Sequence, residues 1–167
     1  MSLLPHVNIP AVPTVRVGGR GGREVDVAAI LPGWRRVSAP LHDYELATGG
    51  KVLRIELKKQ VNLQWFDVGK YYRLTDESRR IWMLFVIHED GAVSLLLAVR
   101  LGTFVDRLCS LPDFQALGWN NYVFETAAKF KKDYPALQFK VKANILSVYR
   151  AHPDLFEVLY KKGNSTA

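Results

Sequence analysis

Three residues whose types and spacing could do chemistry surround a glycine pair: Asp43 before Gly49-Gly50, and Glu56 and Lys58 after it. Two adjacent glycines between β-prone segments are a strong signal for a two-residue hairpin turn. Counting outward places Thr48 opposite Lys51, Leu46 opposite Leu53, Tyr44 opposite Ile55 and Asp43 opposite Glu56. Side chains alternate between the two faces of a strand. One face then holds Tyr44, Leu46, Leu53, Ile55 and Leu57 and belongs to a core. The other holds Asp43, Glu45, Arg54, Glu56 and Lys58, with Ala47 and Val52 nearest the turn.

Carboxylates on facing strands, with Cβ atoms about 4.5–5.5 Å apart, repel each other unless a positive charge lies between them. A divalent cation resolves the conflict. Mg²⁺ accepts one or two carboxylates, keeps several waters and leaves room for a phosphate oxygen. Lys58, two residues beyond Glu56 on the same face, can orient an attacking water or stabilise the charge developing on the phosphate. A metal lowers the pKa of its bound water and polarises the phosphoryl group. These parts suit phosphodiester hydrolysis. The bland reading of the same residues is a solvated polar face with a Glu–Lys contact, like the Glu45–Arg54 pair expected beside it.

The elements that must position this face follow from periodicity. Residues 41–48 and 51–59 form the hairpin. Residues 81–87 and 93–99 are apolar without alternation, so they are expected as central strands covered on both faces, joined through Glu89-Asp90-Gly91. Residues 23–31 fit a helix or a strand, and 34–37 a short strand. Residues 63–74 carry Leu63, Phe66, Tyr71 and Leu74 at helical spacing, and helices are also expected over 103–109 and 121–133. Residues 138–149 alternate as a half-exposed strand with a basic outer side, and Pro153 opens an expected last helix over 153–162. The fold class is therefore α/β: a central mixed sheet of about five strands flanked by helices. Residues 1–22, rich in Pro and Gly, are expected to be an arm, 23–162 a single domain and 163–167 a tail.

With hydrophobic residues at 49% and charged residues at 23%, the body of the chain is expected to fold around a real core. The net charge of +7 and pI near 9.6 favour a polyanionic partner, nucleic acid first. The lone Cys109 excludes an internal disulfide and a cysteine zinc site. No apolar run approaches the ~18 residues of a membrane span, and the start lacks a signal-peptide pattern, so a cytoplasmic location is expected. His6, His42, His88 and His152 have no metal-ligand spacing, and counting turns His42 toward the face opposite Asp43. No nucleophile motif, nucleotide-phosphate loop or dinucleotide fingerprint is present.

An acidic residue, a hairpin and then acidic-x-Lys, here Asp43 followed by Glu56-Leu57-Lys58, resembles the signature of the PD-(D/E)XK nuclease superfamily. The proline that usually precedes the Asp is absent, since Pro40-Leu41-His42 stands there, and this leaves Glu45 as a rival first carboxylate. Within the superfamily the chain looks like small PvuII-type type II restriction endonucleases, through Val68-Gly69-Lys70-Tyr71-Tyr72 and Trp82-Met83-Leu84-Phe85-Val86-Ile87. Arg23-Glu24 and Gly33-Trp34 give a second, weaker resemblance to Holliday-junction resolvases.

The resemblance implies a restriction-endonuclease-like core and a Mg²⁺ cofactor for which Mn²⁺ can substitute. The metal would be held by Asp43, Glu56 and the Leu57 carbonyl, with Lys58 assisting the water. Glu24 would be an outer metal or water ligand, or else an exposed charge beside Arg23. Double-stranded DNA would be gripped by Arg20 and Arg23, by Lys59, Gln60, Asn62 and Gln64 after the hairpin, and by Lys140, Lys142 and Asn144 on the late strand. The expected enzyme is a homodimer cutting a short palindromic site. The alternatives are a repair or recombination nuclease such as a junction resolvase, a nuclease toxin domain, and a nucleic-acid-binding module without catalysis.

Overall fold

A computed structural model describes residues 2–9, 15–17, 23–25, 27–60, 63–67, 74–89, 92–110 and 140–163, with backbone alone at 15–17, 23–25, 27–28, 59–60, 63–67, 108–110, 140–144 and 147. The described strands are β1 (Val15–Val17), β2 (Arg23–Val25), β3 (Arg35–Arg36), β4 (Tyr44–Thr48), β5 (Lys51–Gln60), β6 (Leu63–Asp67), β7 (Trp82–Glu89), β8 (Ala92–Arg100), β9 (Lys140–Asn144) and β10 (Glu157–Lys161). The described helices are α1 (Val27–Ile30), α2 (Asp76–Arg79), α3 (Leu101–Ser110) and α4 (Ile145–Ala151), with 3-10 turns at Leu4–His6 and Pro153–Leu155. The protein is α/β. Its centre is a six-stranded mixed sheet in the order β10-β8-β7-β5-β4-β3, in which β5 and β7 are parallel and the other neighbours antiparallel.

The hairpin register is the one counted from the glycines: Thr48 pairs with Lys51, Leu46 with Leu53 and Tyr44 with Ile55. Gly49 and Gly50 both have positive φ, 55° and 74°, which the primed hairpin turn demands and a Cβ would oppose. The apolar strands β7 and β8 lie at the middle of the sheet, and every residue of β7 from Trp82 to His88 is buried.

Alternation along β7 splits the core in two. Met83, Phe85 and Ile87 face a layer built by α3, α4 and the Pro153–Leu155 turn, where Phe85, Phe104 and Phe156 pack with ring centroids 5.4–6.4 Å apart. Trp82, Leu84 and Val86 face a second layer with Leu53, Ile55, Ile30, Leu31 and Trp34. Residues 2–9, at the start of the expected arm, lie on this second layer. Leu3 is wholly buried, and the Trp34 indole Nε1 donates to the His6 carbonyl at 2.7 Å.

Three sequence expectations are corrected. Residues 63–67 are the strand β6, not the start of a helix; they pair antiparallel with β9, from Leu63–Asn144 to Asp67–Lys140. A short apolar run is ambiguous by period, and a pairing partner decides it. The late strand stops at Asn144, and residues 145–151 turn into α4, which buries Ile145 in the first core layer. Pro153 does open a helical turn, but it ends at Leu155. Residues 157–161 then form the edge strand β10 because β8 offers them a ladder. Within the span 23–31, where helix and strand are both open by sequence, the described residues 23–25 are β2 and 27–30 are α1. The helix expected over 121–133 lies outside the described residues.

Candidate functional site

The polar face of the β4–β5 hairpin continues the sheet face that carries Met83 and Phe85, since Glu56 pairs with Met83 and Lys58 with Phe85 across the parallel ladder. This location buries Glu56, which is only 5% exposed. A carboxylate removed from water needs a compensating charge or hydrogen bonds. Lys58 provides one: its Nζ donates to Glu56 Oε1 at 2.8 Å, and the Lys58 side chain is 19% exposed. The ammonium thus bridges the buried acid and the surface.

Asp43 stands just before β4, where the regular ladder ends. Its backbone N–H donates to the Ile55 carbonyl at 2.7 Å, one residue short of the partner that counting assigns. Its carboxylate Oδ2 accepts the Leu57 N–H at 2.9 Å. Side chain to backbone, this bond ties the first acid to the middle of Glu56-Leu57-Lys58. In a strand the N–H and C=O of one residue point to the same edge. The Leu57 carbonyl therefore lies on the edge that Asp43 closes.

These donors fit a small hard cation in kind: two carboxylates and a carbonyl, all oxygen, with capacity left for water. Among the described residues no cluster of three or more His, Cys, Asp or Glu side chains is placed to hold a metal ion. Mg²⁺ does not require one, because it binds through one or two carboxylates.

Glu45 is engaged elsewhere. Its Oε2 accepts from Arg35 at 2.8 Å, its Oε1 lies 2.9 Å from His42 Nε2, and Arg54 Nε is 3.7 Å away. The His42 hydrogen bond above all, with Arg35 behind it and burial working against both, holds the Glu45 carboxyl below its ordinary range. His42 is a correction: counting turned it to the opposite face, but it reaches Glu45 because regular alternation begins only at Tyr44. Occupied by three partners, Glu45 is a poorer rival to Asp43.

The other expected residues are placed by backbone. Glu24 and Arg23 lie on β2, paired with Arg16 and Val17 in a separate two-stranded sheet rather than on the hairpin. Lys59 and Gln60 end β5. Two residues later β6 carries Gln64, and β9, with Lys140, Lys142 and Asn144, pairs along it. Topology thus gathers Gln64, Lys140, Lys142 and Asn144 onto one ribbon that follows the Lys58 end of β5. Arg20 and Asn62 lie outside the described residues.

Sequence reasoning missed a second group. Lys51, Arg54, Arg80 and Arg100, with Glu77, line a cleft of about 720 Å³ beside the hairpin. Arg79-Arg80 immediately before a buried strand was the available signal. Among the described residues no helix is long and apolar enough to cross a membrane. No protein-family model, curated protein or solved structure matches the chain.

Proposed function

We propose that the protein is a Mg²⁺-dependent endodeoxyribonuclease, with Asp43, Glu56 and the Leu57 carbonyl as metal ligands and Lys58 as the cation beside the attacking water. The observation that carries this reading is the buried Glu56 carboxylate held by Lys58 at 2.8 Å, next to an Asp43 fastened to the Leu57 N–H. A purely solvated polar face has no reason to bury its acid, and burial strengthens any electrostatic work done there. When bound, the metal supplies an activated water and neutralises charge on the phosphoryl oxygens. Asp43 and Glu56 orient that ion, and the Lys58 ammonium stabilises charge on a non-bridging oxygen.

The finer reading is a type II restriction enzyme that cuts a short palindromic duplex site as a homodimer, one strand per subunit. A junction resolvase shares the same chemistry. One observation favours a non-catalytic nucleic-acid-binding module instead: Lys58 and Glu56 already satisfy each other as an ion pair.

Plasmid and phage DNA incubated with the pure protein, with and without Mg²⁺, separate these readings. Discrete Mg²⁺-dependent fragments are expected for the restriction enzyme. A branched junction cut while duplex survives selects the resolvase. Intact DNA of every kind, bound but never cut, removes catalysis and leaves the binding module.

A further inference from the structure

The cleft beside the hairpin originates in the sheet itself. The parallel ladder between β5 and β7 begins only at Ile55, opposite Trp82. Lys51–Arg54 therefore run past the start of β7, and among the described residues no strand pairs with their edge on that side. Arg80 and Ile81, leading into β7, and Arg100, ending β8, line the notch that results.

Among the described residues, four cations and one carboxylate line this notch. The carboxylate, Glu77, is paired with Arg54 at 2.8 Å. Arg100 is fixed rather than neutralised: its guanidinium stacks 4.0 Å above the Trp82 ring, and its Nη1 donates to the Arg80 carbonyl at 2.5 Å. Burial first, then repulsion from Arg80, eases the Arg100 guanidinium below its ordinary value, against the opposing pull of Glu157. Lys51 and Arg80 are exposed and make no ion pair among the described residues. A pre-positioned Arg with two neighbouring cations suits a phosphate, which guanidinium groups grip through paired N–H donors.

Arg54 shares its face of β5 with Glu56, two residues on. At about 3.4 Å per residue the two are separated by roughly 7 Å along the strand. That is about two nucleotide steps on a duplex axis, at about 3.4 Å per phosphate on each strand. We infer that the notch lined by Lys51, Arg54, Arg80 and Arg100 binds backbone phosphates of DNA, holding the strand on the turn side of the Glu56–Lys58 pair. The inference rests on the proposed function for its choice of polyanion, but it requires no metal and no cleavage.

The test is binding of a fluorescent 20-base-pair duplex, roughly two helical turns, to the full-length protein in EDTA across a salt series, read by anisotropy. Lys51→Ala and Arg80→Ala, both surface substitutions, should each weaken binding by about tenfold and lower the slope of log K against log salt by about one. Lys162→Ala, an exposed cation beyond β10 at the far edge of the sheet, removes the same charge and should change neither. Equal losses in all three variants would reduce the effect to diffuse charge and overturn the site. So would unaltered binding in the two notch variants, or a poly-glutamate peptide that displaces the duplex at equal concentration. Notch-dependent binding without cleavage in Mg²⁺ keeps this inference and removes the nuclease; cleavage with no effect of the notch variants does the reverse.

Discussion

At the residue scale, the Glu56–Lys58 pair joins the proposed function to stability. Removing the ammonium strips a charge-assisted hydrogen bond from a carboxylate that is 5% exposed. Lys58→Ala should therefore destabilise the fold by about 1–3 kcal/mol as well as abolish cleavage. Glu56→Gln keeps the shape and is the cleaner probe; it should lower Mg²⁺-dependent cleavage at least about a hundredfold with a smaller change in denaturant midpoint. Equal activity in the Gln variant and the native protein would place the metal elsewhere. Glu45 gives a pH-dependent prediction. Its folded pKa lies below the ordinary 4.5, so its stabilising contribution is present above that value and is lost as pH falls through the folded pKa. Melting temperatures of the native protein and Glu45→Gln should differ at neutral pH and converge in acid. Divergence on acidification would show that His42 and Arg35 do not favour the ionised form.

At the element scale, the start of α3 depends on a glycine. A Cβ on Gly102 would fall 2.8 Å from the Cβ of Arg79 in α2, and that atom cannot swing away as a side-chain tip can. The contact keeps α2 and α3 close enough for Arg79 Nη2 to meet Asp106 Oδ2 at 2.5 Å. Gly102→Ala should destabilise the protein by about 1–3 kcal/mol despite the helix preference for alanine, measured by urea denaturation. Stabilisation by the substitution would mean that the two helices have room to separate. A displaced α2 would also move Arg80 at the rim of the notch.

At the scale of the whole molecule, the sheet is closed on both faces by different parts of the chain. The second layer recruits the first described residues. Leu3 is fully buried, its N–H donates to Glu157 Oε2 at 3.2 Å, and Asn8 N–H donates to the Ile30 carbonyl at 2.9 Å. Leu3→Ala should cost about 2–5 kcal/mol with an unchanged denaturant slope, the behaviour of a core residue. A loss within about 0.5 kcal/mol, usual for a surface change, would return this segment to the arm that its composition suggests.

The sequence by itself determined what depends on local period and turn chemistry. Gly49-Gly50 specified the hairpin and, through strict alternation, the register that pairs Tyr44 with Ile55 and sends Glu56 and Lys58 to one face. The unbroken apolar runs specified β7 and β8 as central strands. Tertiary structure decided whatever needed a distant partner. Residues 63–67 and 157–161 became strands because β9 and β8 offered them ladders, and neither offer is written in their own spacing. His42 escaped counting because period two holds only within a ladder. The burial of Glu56 could not be read from alternation, which assigns a face but not what covers it. The notch needed most of all: its cations come from β5, from the lead into β7 and from the end of β8, brought together by the point at which a parallel ladder starts.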